Sequence, residues 1–344
     1  MDHLKTTNRL LLILVIPLVF YLAKVLSFIL IPLVSSMFIA LLFLPIMRFL
    51  RKKGLPKLLN IVIVMIIIFL AVRLGFELVK LSGQELLASD ATFFDKAQYK
   101  INELIYYFNG LIGNEVSTTD KSLARLINKD SLMKQLFPTV GFLGRFLTSV
   151  LMTVFFSVLW LADSIDVQKL LNTTILKKKH TSVKTFRKIE KDLIKFIKVK
   201  FLMSAFTGIG TGLFCYFFDV SFPIFWGLFA FFINFVQMVG SFATVILLSI
   251  FAFVELDFNS TLLFFMLSIS LVQVLFGSIL EPIFMGKSFS INIITVLVML
   301  MFWGFIWGIP GLIMAIPLTV FFKIILEQFE GTKVVASLLS AETD

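Results

Sequence analysis

The sequence has few of the residues on which site chemistry usually depends. Its 344 residues include one cysteine, Cys215, so neither a disulfide within the chain nor a CxxC site can form. The two histidines, His3 and His180, lie far apart in polar segments. A zinc site takes about four ligands, and no metal site is expected. No GxSxG, HExxH or paired-carboxylate arrangement occurs, so no catalytic residue is assigned and the chain is not expected to be an enzyme. Gly286, Lys287 and Ser288 imitate the end of a phosphate-binding loop. Glu281 stands where that loop needs its first glycine, and no strand precedes it. ATP is therefore not expected as a ligand, and no cofactor is expected.

Charge is scarce too. Charged residues make up 15% of the chain, against about a quarter in soluble domains. The net charge of +10 could suggest nucleic acid, but the basic residues sit in short segments between apolar runs and form no aromatic-basic surface. Nucleic acid is not an expected partner, whereas the lipid bilayer is.

What the chain has is apolar length: 59% of it is hydrophobic. A helix crossing a hydrocarbon layer about 30 Å thick needs roughly 20 apolar residues. The candidate runs are Leu10–Leu22, Val25–Met47, Leu58–Val79, Val140–Ala162, Phe201–Phe218, Phe222–Val254, Leu262–Leu280 and Ile291–Leu326. In lipid each must be helical, because the backbone has no water to bond. The fold class expected is all-α, a polytopic integral membrane helical bundle. Leu10–Tyr21 has the look of a signal-peptide core, but no small-residue cleavage site follows it, so no cleavable leader is expected.

Basic residues set the orientation. Arg48, Arg51, Lys52, Lys53 and Lys57 crowd one loop. Segment 164–200 carries eleven basic residues against Asp166, Glu190 and Asp192. Segment 83–139 has six basic and seven acidic residues. The basic segments are expected in the cytoplasm, with the N-terminus, and 83–139 outside. The resulting organisation is 1–82, N-terminal transmembrane helices; 83–139, outer amphipathic helices; 140–163, a transmembrane helix; 164–200, a basic cytoplasmic amphipathic segment; 201–330, a C-terminal transport core; and 331–344, a cytoplasmic tail. In the outer segment, Phe94, Ala97, Ile101, Leu104, Ile105 and Phe108 recur at helical spacing. In the basic one, Phe186, Ile189, Leu193, Phe196 and Ile197 form an apolar face suited to a membrane surface.

Two C-terminal runs are too long for one crossing. Phe222–Val254 contains Asn234, Gln237 and Gly240. Ile291–Leu326 contains Gly304, Gly308, Pro310, Gly311 and Pro317. Each is a kinked helix, a broken helix or a re-entrant hairpin, and transporters often build sites from such discontinuous helices. Ser270, Gln273, Gly277 and Glu281 share one helix face, and Asn234, Gln237 and Ser241 repeat the pattern. Asn292 and Thr295 open the last run. A carboxylate within the bilayer normally faces protein or a water cavity, and Pro282 after Glu281 bends or ends a helix. Two readings stay open for Glu281: a pathway residue, or an interfacial cap near Lys287. Asn234, Gln237, Gln273, Glu281 and Asn292 are the candidate substrate or ion pathway. Gly240, Pro282, Gly304, Gly308, Pro310 and Gly311 are the candidate helix breaks. Gly208 with Gly212, and Gly304 with Gly308, have the spacing that lets helix backbones approach closely.

Glu281-Pro282-Ile-Phe-Met-Gly286-Lys287-Ser288 resembles the EP-x-x-x-G-[KR]-S element of the AI-2E (autoinducer-2 exporter) family, also called UPF0118. Phe302-Trp303-Gly304-Phe-Ile-Trp307-Gly308-Ile-Pro310-Gly311 is similar to that family's WG-x-x-WG-x-x-G stretch, and Ala315-Ile316-Pro317-Leu318-Thr319 to its A-V-P-L element. The match covers about 195–330, and the N-terminal half agrees in hydropathy alone. Gln237 replaces the proline of the family's N-x-I-P-x-x-G element, and the proline usual near Ser290–Asn292 is missing. The resemblance implies about eight transmembrane helices in a bacterial inner (plasma) membrane and a homo-oligomer, a pentamer in its implied form. It also implies a secondary transporter exporting a small polar solute such as autoinducer-2 or a related metabolite. Sodium (or other cation)/proton antiport and a membrane scaffold that transports nothing are the alternatives.

Overall fold

The computed structural model describes residues 2–88, 148–162, 180–236, 239–256, 259–286, 291–327 and 332–339, with positions 96, 99, 100 and 103. Gln237, Lys287, Ser288, most of the outer amphipathic pair and the first part of 164–200 lie outside the described residues. No strand occurs among the described residues. The N-terminal helices are α1 (Asp2–Val25), α2 (Ser27–Lys52) and α3 (Lys57–Ala88), followed by α4 (Thr148–Ala162). Large apolar side chains cover their outer surfaces, among them Phe28, Phe49, Leu58, Phe69 and Phe155. So much exposed apolar surface is the mark of a protein solvated by lipid.

Helix α5 (His180–Phe217) is the axis of the C-terminal half. It runs unbroken from the basic amphipathic stretch into the apolar run and is about 57 Å long at 1.5 Å per residue. Antiparallel to it lies a second long helix, made of α8 (Ser260–Val272), a π-helical segment (Gln273–Leu280) and α9 (Glu281–Met285). Their register is fixed by Gly210 against Val272, Lys200 against Glu281, and Lys195 against Gly286.

The two over-long runs are helical hairpins. The first consists of α6 (Pro223–Ile233) and α7 (Val239–Glu255). Trp226 on one arm packs against Phe251 on the other, with ring centroids 5.1 Å apart. The mouth is tied where the Ser221 backbone N–H donates to Glu255 Oε2 at 2.8 Å. The second consists of α10 (Ile293–Trp307) and α11 (Ile309–Leu326). It turns at Gly308, whose φ of +64° and ψ of −139° suit glycine and disfavour residues with a Cβ. Gly304, Pro310 and Gly311 lie beside that turn rather than forming it. A Cβ on Gly311 would run into the Trp303 carbonyl, and one on Gly304 would meet the Leu312 side chain.

The hairpins open at opposite ends of α5. The mouth of the first lies by Val220, whose N–H bonds the Cys215 carbonyl near the C-terminal end of α5. The second follows α9, whose end lies by Lys195, and packs with Leu193 and Phe196 in the largest apolar cluster. Outside groups brace both. Glu85 on α3 accepts from the Ile224 and Phe225 N–H groups at 3.4 and 3.3 Å, where a helix N-terminus favours an anion. Near its tip the second hairpin is held by Trp307, whose Nε1 donates to the Ala23 carbonyl at 3.0 Å.

Candidate functional site

The first turn of the site comes from α5. Lys200, Ser204, Thr207 and Thr211 recur at i, i+4, i+7 and i+11, so they share one helix face, and all four are buried. Gly208 and Gly212 on a neighbouring face press α5 against Gly227 and Pro223 around α6. Gly210 on another face meets Val272. The polar face therefore points into the crevice between the first hairpin and the π-helical helix.

Pro282 shapes the opposite wall. It has no N–H for the Ser278 carbonyl, and in an α-helix its ring would clash there. The chain answers by widening its turns instead of ending: the Glu281 N–H reaches the Phe276 carbonyl, five residues back. Gln273, Gly277 and Glu281 fall at four-residue intervals along this widened stretch. Such π segments are frequent at functional sites.

Glu281 is not an interfacial cap. Lys200 Nζ lies 2.7 Å from Glu281 Oε1, and both side chains are 2% exposed. Lys200, at the end of the basic segment 164–200, is thus a buried partner in an ion pair. Desolvating two charges costs as much as their attraction returns, so a buried pair is poor evidence for stability. Its presence inside an apolar bundle calls for a functional reason.

One turn along, the tip of the first hairpin enters. Asn234, at the end of α6, donates from Nδ2 to Ser204 Oγ at 3.0 Å. Gly277 leaves room for that tip: a Cβ there would lie 3.2 Å from Ser241 Oγ and 4.0 Å from Asn234 Oδ1. Gly240 lies in the first turn of α7, and a Cβ there would run into the Ile233 carbonyl. A further turn along, at the level of Thr207 and Thr211 in the register, lies Gln273, 3% exposed. From Lys200 to Thr211 this polar column is about 16 Å long at 1.5 Å per residue.

The structure thus brings Asn234, Gln273 and Glu281 together. Asn292 is elsewhere: its side chain caps α10 by accepting from the Ile294 N–H at 3.0 Å, and its own N–H bonds the Leu339 carbonyl. Lys200, Ser204, Thr207 and Thr211 escaped the sequence reading. Their i, i+4, i+7, i+11 spacing was the available signal, obscured because Lys200 closes a lysine-rich run. No group of three or more metal-ligating residues occurs among the described residues.

Comparison with known proteins decides what kind of machine this is. Residues 10–331 match the profile of the family described as AI-2E family transporter. The chain belongs to the AI-2E transporter family. Among its relatives, the AI-2 transport protein TqsA of Escherichia coli is 26% identical over 317 residues, which covers 91% of this chain and 89% of TqsA. A Borreliella burgdorferi protein, whose name speaks of transport and of no substrate, is 29% identical over 314 residues, covering 88% of this chain and 82% of that one. This AI-2E chain is a membrane-embedded transporter. The polar column lies inside the region that carries the family's motifs.

Proposed function

We propose that this AI-2E transporter exports a small, uncharged polar solute along the column between α5, the first hairpin and the π-helical helix. The observation that carries the reading is the Lys200–Glu281 pair. The column's only acid among the described residues is already neutralised by a lysine, and the groups beyond it are amides and hydroxyls. Such a lining suits a neutral solute that exchanges hydrogen bonds with water for hydrogen bonds with Ser, Thr, Asn and Gln. The likeness to TqsA makes autoinducer-2 the first candidate. The basic end of α5 faces the cytoplasm of a bacterial inner membrane in this reading, so the ion pair closes the column at the side from which solute enters.

Cation/proton antiport is the second reading, and Glu281 favours it as the titratable acid in the path. Lys200 counts against it, because an arriving cation must displace an ammonium held at 2.7 Å. Purified protein in vesicles separates the two. Export of a neutral solute predicts autoinducer-2 efflux down its gradient, with no sodium-driven proton movement. Antiport predicts sodium-dependent proton flux that Glu281→Gln abolishes. Sodium-driven proton flux without autoinducer-2 efflux would overturn the first reading.

A further inference from the structure

Within the column one level differs from the rest. The Lys200 and Glu281 side chains satisfy each other, Asn234 is bonded to Ser204, and Thr207 donates to the Met203 carbonyl at 2.9 Å. Gln273 does none of this. Both its Oε1 and its Nε2 are buried without a hydrogen-bond partner among the described residues, and so is Thr211 Oγ1. By the antiparallel register that sets Gly210 against Val272, these groups belong to one level of the crevice. The other buried polar atoms without partners, on Asn60, Trp226 and Trp303, lie off the polar face of α5.

An unpaired buried polar group is costly, and an amide leaves two kinds unpaired, a donor and an acceptor. The position needs no amide for packing, since methionine has nearly the same length and volume. We infer that Gln273, with Thr211 beside it, is the specificity-determining contact of the pathway. Its amide reads the solute by accepting one hydrogen bond and donating another, and the Thr211 hydroxyl adds a third. A site built this way selects a solute that carries a donor and an acceptor close together. It discriminates against analogues lacking either, because the wrong solute leaves the amide unsatisfied. Of the amide, a bare cation could use only Oε1. This assignment rests on the transport reading given above and deepens it.

The test uses full-length protein in proteoliposomes, with autoinducer-2 and erythritol as probes and uptake followed against concentration. Gln273→Met keeps the length and volume and removes both bonding functions of the amide. The expected result is a rise in KM of about tenfold or more, with the maximal rate changed by less than about threefold. Thr211→Val raises KM by a smaller factor. Gln273→Asn, which keeps the amide one methylene shorter, restores part of the affinity. A structural role predicts the reverse: less folded protein and a lower maximal rate at unchanged KM. Gln273→Met protein that elutes as a single species and transports with wild-type KM would overturn the assignment. Wild-type vesicles showing no saturable uptake of either probe would overturn the export reading itself, and the assignment with it.

Discussion

The two helical hairpins begin from the same problem and solve it differently. Each is an apolar run too long for one crossing, and each has a glycine beside its turn, Gly240 or Gly311, pressed against a carbonyl of the opposite arm. The second hairpin is sunk in apolar packing. Nine residues of α11 are buried, from Gly311 to Ile324, and Trp303 and Trp307 pack together with ring centroids 5.0 Å apart. In the first hairpin two residues of α6 are buried, Trp226 and Ala230, and four of α7, Gly240, Thr244, Leu248 and Ala252. An open apolar groove runs along the first hairpin, lined by residues including Phe225, Phe229 and Leu247. Its tip carries Asn234 into the polar column. The second hairpin is a wedge that fixes the bundle. The first is an arm pressed along α5 that delivers Asn234 to the polar column.

Changes at the turns test this contrast most severely. Gly240→Ala and Gly311→Ala each place a methyl group against backbone that cannot rotate away, at a cost of roughly 3 kcal/mol or more. Thermal unfolding in detergent should show a marked loss for both. A Gly240→Ala protein as stable as wild type would mean that the first hairpin closes less tightly than described.

The ion pair comes next. Lys200→Met leaves a carboxylate buried alone, and Glu281→Leu leaves an ammonium alone, each worth about 3–5 kcal/mol. The double variant should recover most of that stability, because an apolar pair of similar volume removes both desolvation costs. It should still fail to transport. A double variant as unstable as either single one, measured by denaturation in a double-mutant cycle, would show that the two groups do not compensate each other.

Smaller effects compare the two asparagines. Asn234→Ala removes a buried hydrogen bond of about 1 kcal/mol and should reduce transport. Asn292→Ala removes a helix cap of about 1 kcal/mol and should lower stability by a similar amount while transport per folded molecule stays the same. Equal transport losses would dissolve the distinction between arm and wedge. Smallest of all is Glu77→Gln. Its exposed pairing with Lys80 at 3.8 Å is worth under about 1 kcal/mol, and neither stability nor transport should change measurably.

Much of the fold was readable because lipid allows few solutions. Apolar length, breakers such as Gly308, and the basic residues at 48–57 marked helices and places where they turn. The excess length of 222–254 and 291–326 left hairpin, kink and break open, since all three satisfy the backbone. Glu281 was recognisable as a buried acid or an interfacial cap, because sequence depth alone cannot tell a helix end from a helix that widens past a proline. Asn292 carries the same ambiguity: an asparagine that caps a helix and one that lines a route look alike until their partners are known.

The residues by themselves determined the solvent, the helical class and the family motifs, because hydrophobicity and spacing are properties of the chain in order. Only the tertiary structure decided that Lys200 belongs to Glu281, 81 positions away, and that Asn234 bonds Ser204 rather than lining an open face. Charge compensation depends on distance in space, and that distance was set by two helices running antiparallel with glycines at their contacts. The π-helical turn before Pro282 is of the same kind. Proline forbids the ordinary helical bond, but packing against α5 chose widening over a break.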